Sequence, residues 1–141
     1  MDKGKLKQYR ALQKEIPKLK RDIQKLMEEL DKIPVMPGKV MESKHEFPYT
    51  KQYVTVDVLE PKQVLEIRKQ ITAKESRLEQ AEKDKTDIEE FISTILDSTD
   101  RQIFELMYLG EKQLTQRKVG EMVGYDQSSI SLKINRYLNN S

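Results

Sequence analysis

The chain has no cysteine, no tryptophan and a single histidine. Without cysteine there are no disulfides, no thiolate metal ligands and no thiol nucleophile. His45-Glu46 begins like a zinc-protease helix, but that pattern needs a second histidine one turn later and none exists. No glycine-rich phosphate loop and no nucleophile-plus-base set is present either, so the sequence points away from an enzyme and implies neither cofactor nor metal. Long apolar runs are missing as well: no stretch of 18 suits a membrane span, and the opening MDKGKLKQYR leads into no signal core. A soluble, cytoplasmic protein is the expectation. Aromatics are only 6% of the residues, which leaves little for a large sheet core.

What the chain does have is charge. Charged residues are 35% of the total against 36% hydrophobic, a balance that suits long exposed helices better than a globular sheet protein. The net charge of +2 is unevenly spread, with basic ends and an acidic middle. That distribution permits nucleic-acid binding without demanding it.

Two apolar seams dominate the first two thirds. Leu6, Tyr9, Leu12, Ile16, Leu19, Ile23, Leu26, Leu30 and Ile33 recur at steps of three and four, which is a coiled-coil pattern. Pro17 interrupts it, and a proline inside a helix costs roughly 3 kcal/mol. The spacing predicts a long helix over about 16–33, preceded by a kinked or frayed extension. The second seam runs through Val64, Ile67, Ile71, Lys74, Leu78, Ala81, Lys85, Ile88, Ile92 and Ile95, with Pro61 suited to its first turn. Lys74 and Lys85 weaken that seam but can fix register or partner choice. Exposed seams are unstable, so they pair as an antiparallel hairpin, with another copy of the chain as a homodimer, or both.

Between the seams, Pro34, Pro37, Gly38 and Pro48 break helix, and Tyr53, Val54, Thr55, Val56 and Val58 read as a short strand. A small β-hairpin insert at about 34–60 is predicted, with 39–43 as the partner strand. After Ile95, Ser98 or Thr99 can cap a further helix carrying Ile103, Phe104, Leu106, Met107 and Tyr108, which Gly110 ends. The expected organisation is therefore mainly α: a coiled-coil stalk with its insert over 1–97, and a three-helix helix-turn-helix head over 98–141.

The head holds the most informative stretch, QRKVGEMVGYDQSSISLKIN, residues 116–135. Val119 and Val123 give a first helix an inner face, and Gly120 lies where a second helix must come close. Gly124 falls where that helix must end in a left-handed residue. Tyr125 offers an apolar body to the corner, and Asp126 can cap the next helix. Ile130, Ile134, Tyr137 and Leu138 continue the buried face. A helix-turn-helix of this kind sets one helix in the DNA major groove. Its outward face carries Gln127, Ser128, Ser131, Leu132 and Asn135 as candidate base readers: glutamine and asparagine can bridge adenine N6 and N7, serine can donate or accept, and leucine can pack on a thymine methyl. Thr115, Gln116 and Arg117 start the preceding helix and would face a backbone phosphate, flanked by Lys133 and Arg136. A solvated polar helix start and ordinary surface cations are the plainer explanations of the same residues. Lys3, Lys5, Lys7 and Arg10 are open to two readings in the same way, a DNA-contacting arm or a charged helix start.

Residues 100–134 resemble the fourth conserved region of bacterial sigma factors, which reads the −35 promoter element. The resemblance is carried by the helix from Asp100 to Tyr108, Leu114-Thr115, Val119-Gly120-Glu121, Gly124 and Ser129-Ile130-Ser131. With its coiled N-terminal part and Glu46-Phe47-Pro48-Tyr49 in the middle, the whole chain is similar to the RinA and ArpU type of late transcriptional regulator of Gram-positive bacteriophages. The resemblance implies double-stranded DNA as ligand, host RNA polymerase as partner and a place of action at the nucleoid of a bacterial host. Regions that would bind core polymerase or read the −10 element have no counterpart here. The competing class is a DNA-packaging subunit of the small-terminase kind, which also joins a helix-turn-helix to a coiled oligomerisation part but usually places the DNA-binding part first. A pure protein-interaction module is the third.

Overall fold

A computed structural model describes residues 1–34 and 61–138. They form helices α1 (Lys3–Lys7), α2 (Tyr9–Lys32), α3 (Lys62–Ser93), α4 (Ser98–Phe104), α5 (Gln116–Val123) and α6 (Gln127–Tyr137), with α4 continuing as a π-helical turn over Glu105–Leu109. The fold class is mainly α, but one part of the expectation is corrected. Among the described residues there is no strand, and the β-hairpin insert expected at 34–60 is not seen; residues 35–60 lie outside those described. The signal behind it was β-propensity over 53–58, which is a context-dependent preference, and a lone hairpin is marginal in water.

The chain divides into two compact units, residues 1–18 with 78–141, and residues 19–77. In the second, the seam residues Leu19, Ile23, Leu26, Val64, Ile67 and Ile71 are all buried. Lys74 reaches across from α3, its Nζ 3.4 Å from Asp22 Oδ2 on α2. The pair fixes which turn of α3 lies beside which turn of α2, the register role that a charged seam position can play.

In the first unit Leu6, Tyr9, Leu12 and Ile16 share one core with Ala81, Ile88, Ile92 and Ile95 from α3 and the segment after it, and with the buried residues of α4, α5 and α6. Asp2 starts α1 by accepting from the Gly4 amide at 2.9 Å. The chain breaks at Gln8, not at Pro17: α2 runs unbroken through Pro17, which stands on the exposed face. Burial of Ile16 and Leu19 on either side offsets the one hydrogen bond that proline forgoes. Tyr9, 4% exposed, donates its hydroxyl to Glu89. Burial first, and then that hydrogen bond and the carboxylate charge, push its phenol up to about 12. Lys5 pairs with Asp87 at 3.1 Å and with Asp84 at 3.9 Å. The acidic stretch of α3 is thus a flank that holds α1 and α2, and no cluster able to hold a metal occurs among the described residues.

The link into the head is capped by Asp97, one residue earlier than Ser98 or Thr99: its side chain accepts from the Asp100 amide at 2.9 Å. Arg101 then donates to the Ile95 carbonyl at 2.7 Å. Phe104 is fully buried and meets Phe91, Tyr108 and Tyr137 at ring-centre distances of 5.9, 5.8 and 5.7 Å. At the far end Gly110 donates to the Glu105 carbonyl at 3.2 Å, closing the π turn. Arg10 from α2 covers this end, donating to the carbonyls of Gly110, Met107 and Lys112 at 2.8, 2.9 and 2.9 Å. A cation over unsatisfied carbonyls at a helix C-terminus is a favourable pairing.

Candidate nucleic-acid interface

The turn between α5 and α6 is built on two glycines with different reasons to be glycine. Gly124 has φ of 86°, a left-handed conformation that other residues adopt at a cost of roughly 1–2 kcal/mol. Its amide and that of Tyr125 both donate to the Gly120 carbonyl, at 2.8 and 2.9 Å, so the chain folds back tightly over the last turn of α5. That fold-back sets the Tyr125 carbonyl where a side chain on Gly120 would stand: a Cβ there would lie 2.4 Å from the oxygen and 3.4 Å from Ile130 Cγ1. Gly120 therefore allows the close approach of α6, and Gly124 allows the reversal that delivers it.

Val119, Ile130 and Ile134 are fully buried and Leu138 nearly so, with Val123 and Tyr137 packed at the edge of the same core. With these positions inward, the opposite side of α6 faces solvent. Gln127, Ser128 and Asn135 are exposed, Ser131 is half-buried, and Leu132 is 69% exposed. These five form one polar ridge along α6, interrupted only by the leucine.

The expected backbone contacts separate into three groups. Thr115 and Arg117 are exposed at the start of α5, and Gln116 beside them is half-buried. Arg117 leans on Glu121 at 3.8 Å, and Lys118 on the same carboxylate at 3.9 Å; both pairs are exposed and worth little in water. Arg136 is exposed on α6. Lys133 differs. Its Nζ lies 3.1 Å from Asp100 Oδ1 and 4.8 Å from the centre of the Tyr125 ring, so its charge is committed inward.

Asp100, 2% exposed, is the reason. It takes Lys133 on one oxygen and the Tyr137 hydroxyl on the other. Burial alone would push this carboxyl up, but the two hydrogen bonds and the charges of Lys133 and Arg136 outweigh it and hold the group below the usual carboxylate range. The same bond pushes the Tyr137 phenol up. The network ties α6 to α4 at two points one turn apart. Sequence reasoning missed it because Asp100 reads as an ordinary acidic residue of a helix first turn, 33 and 37 positions from its partners.

The two helix starts differ in charge. Asp126 caps α6, accepting from the Ser129 amide at 2.8 Å, and that bond holds its carboxyl low. Thr115 caps α5 with a neutral hydroxyl, accepting from the Lys118 amide at 3.1 Å. The start of α6 thus carries its own negative charge, while the start of α5 stays open to an anion.

Beside the α5 start lies a cleft of about 340 Å³ lined by Lys3, Lys7 and Arg10 together with Met107, Tyr108, Gln113, Leu114 and Gln116. The basic residues of α1 thus divide by direction: Lys5 turns to the acidic flank of α3, while Lys3 and Lys7 turn to the head. No helix among the described residues is long and apolar enough to cross a membrane. Compared with protein-family models, curated proteins and solved structures, the chain matches none of them.

Proposed function

We propose that this chain is a sequence-specific, double-stranded-DNA-binding transcriptional regulator, acting as a bacteriophage late-gene activator at promoters together with the host RNA polymerase. The observation that carries the reading is the exposed ridge Gln127–Ser128–Ser131–Leu132–Asn135 on a helix whose position is fixed by Gly120, Gly124 and the Asp100 network. The ridge supplies adenine- and thymine-directed groups and lacks the arginine that would take guanine. Each base pair it discriminates is worth the lower end of roughly 1–3 kcal/mol. One such head binds weakly, and the complex needs a second hold on the promoter. Polymerase supplies it better than a coiled-coil partner does, because most seam residues are already buried within the single chain, with Leu30, Ile33 and Leu78 half-buried.

The reading is tested by selecting bound sequences from a random duplex pool, then comparing Gln127→Ala and Ser131→Ala on the selected site. Each substitution is expected to weaken the selected site by about 5-fold or more, equivalent to about 1 kcal/mol, and to relax the base preference at one position. A pool that yields no common sequence would end this reading, as would two variants with unaltered preference.

A further inference from the structure

The cleft beside the start of α5 has chemistry that the ridge on α6 does not use. Its charged lining is entirely cationic: Lys3, Lys7 and Arg10, with no carboxylate among them. Arg10 is already spent on three backbone carbonyls. Lys3 and Lys7 stand one turn apart on α1, where like charges repel, and neither has an ion-pair partner among the described residues. Leu6, fully buried between them in sequence, pins α1 in this orientation. On the wall of the same cleft Tyr108 is 3% exposed, and its hydroxyl is buried with no hydrogen-bond partner. Burial pushes that phenol up, so it stays a donor. Two exposed cations with no ion-pair partner beside an uncharged helix start make the cleft attractive to an anion. Gln116, the first residue of α5, adds an amide side chain and a positive helix end at the rim.

We propose that this cleft seats a phosphate group, and that in the bound complex it is a backbone phosphate of the DNA strand flanking the bases read by α6. Lys3 and Lys7 supply the charge and Gln116 the orienting amide. The DNA part of this proposal rests on the function proposed above, whereas the phosphate part does not. The first turns of the chain are then part of the DNA-binding surface, and the head reads bases with one helix while gripping the backbone with two.

The test uses the full chain and the double variant Lys3→Gln/Lys7→Gln, with unchanged helicity by circular dichroism as the folding control. Affinity for the selected duplex is measured across salt, and inorganic phosphate is titrated while the amide NMR signals of Lys7 and Gln116 are followed. The expected result is a loss on the order of 30-fold for the double variant at 0.15 M salt, a salt slope shallower by about two, and an unchanged base preference. In the same experiment phosphate should shift both amides in the parent and neither in the variant. If the parent binds DNA and the double variant keeps its salt slope, the cleft proposal is overturned and the function stands. If the parent binds no DNA but phosphate still shifts the two amides, the function is overturned and the cleft stands as a site for a free phosphate compound. Silence in both arms overturns both.

Discussion

Replacing Gly120 by alanine sets two effects of known sign against each other. In a helix interior alanine is favoured over glycine by about 1 kcal/mol, so on propensity alone the variant gains. Against this, the new Cβ would sit 2.4 Å from the Tyr125 carbonyl oxygen, where such carbon–oxygen contacts normally begin near about 3.3 Å. The obstacle is backbone, held by the amides of Gly124 and Tyr125 on the Gly120 carbonyl, and it cannot swing aside as a side chain would. Overpacking costs about 1–3 kcal/mol, and a fixed backbone puts the cost at the upper end. The net expectation is a loss of about 2 kcal/mol in the head, roughly 30-fold in the opening equilibrium. Hydrogen exchange of the Ile134 amide reads this locally, because Ile134 is fully buried in the head core. Gly124→Ala provides the contrast: its Cβ would meet nothing within 4 Å, so only the left-handed φ is penalised, at about 1–2 kcal/mol. Protection of Ile134 in Gly120→Ala equal to or above the parent's would refute the close approach as the reason for glycine at 120.

Two further outcomes follow from the charged groups. Asp100→Asn leaves Lys133 without its partner in a pocket where its side chain is 19% exposed, and should cost about 1–3 kcal/mol by urea denaturation, with DNA affinity falling as α6 loosens. Since the folded state holds the Asp100 carboxyl low, its stabilisation is complete above the ordinary carboxylate value near about 4 and is lost as pH falls through the lower folded value; the parent's stability should fall in that range more steeply than the variant's. An equally steep acid limb in Asp100→Asn would mean that other carboxylates dominate. Replacing both partners, Lys74→Met with Asp22→Leu, should raise the melting temperature by about 2–4 °C, because a partly buried pair is exchanged for apolar seam residues worth about 1 kcal/mol. A lower melting temperature would show that Asp22 and Lys74 stabilise as well as fix register.

Much of this architecture is legible in the sequence because it depends on local spacing. The seams through Leu6 to Leu26 and Val64 to Ile95 give the two long helices and their buried faces, and the pair Gly120–Gly124 with caps at Thr115 and Asp126 gives the turn between α5 and α6. Where local rules compete with packing, they mislead. Pro17 argues for a break that burial of its neighbours overrides; the strand expected from the valines at 54–58 lies outside the described residues. Contacts between distant segments leave no local trace at all. Arg10 closing the carbonyls near Gly110, Lys133 turning from solvent to Asp100, and Lys3 with Lys7 at the edge of the head each join residues from different parts of the chain. For the same reason the ridge on α6 could be read from periodicity, whereas the cleft beside α5 could not.

Leu6, Tyr9, Leu12 and Ile16 share their core with segments translated much later, from Leu78 onward. While the ribosome is still working through the intervening residues, these four side chains stay wet, and closing so long a loop is entropically slow. The unit that holds α4, α5 and α6 therefore completes its core only after these later segments have been made. A product lacking α6 would carry an unfinished core, without Ile130 and Ile134, and become a target for proteolysis.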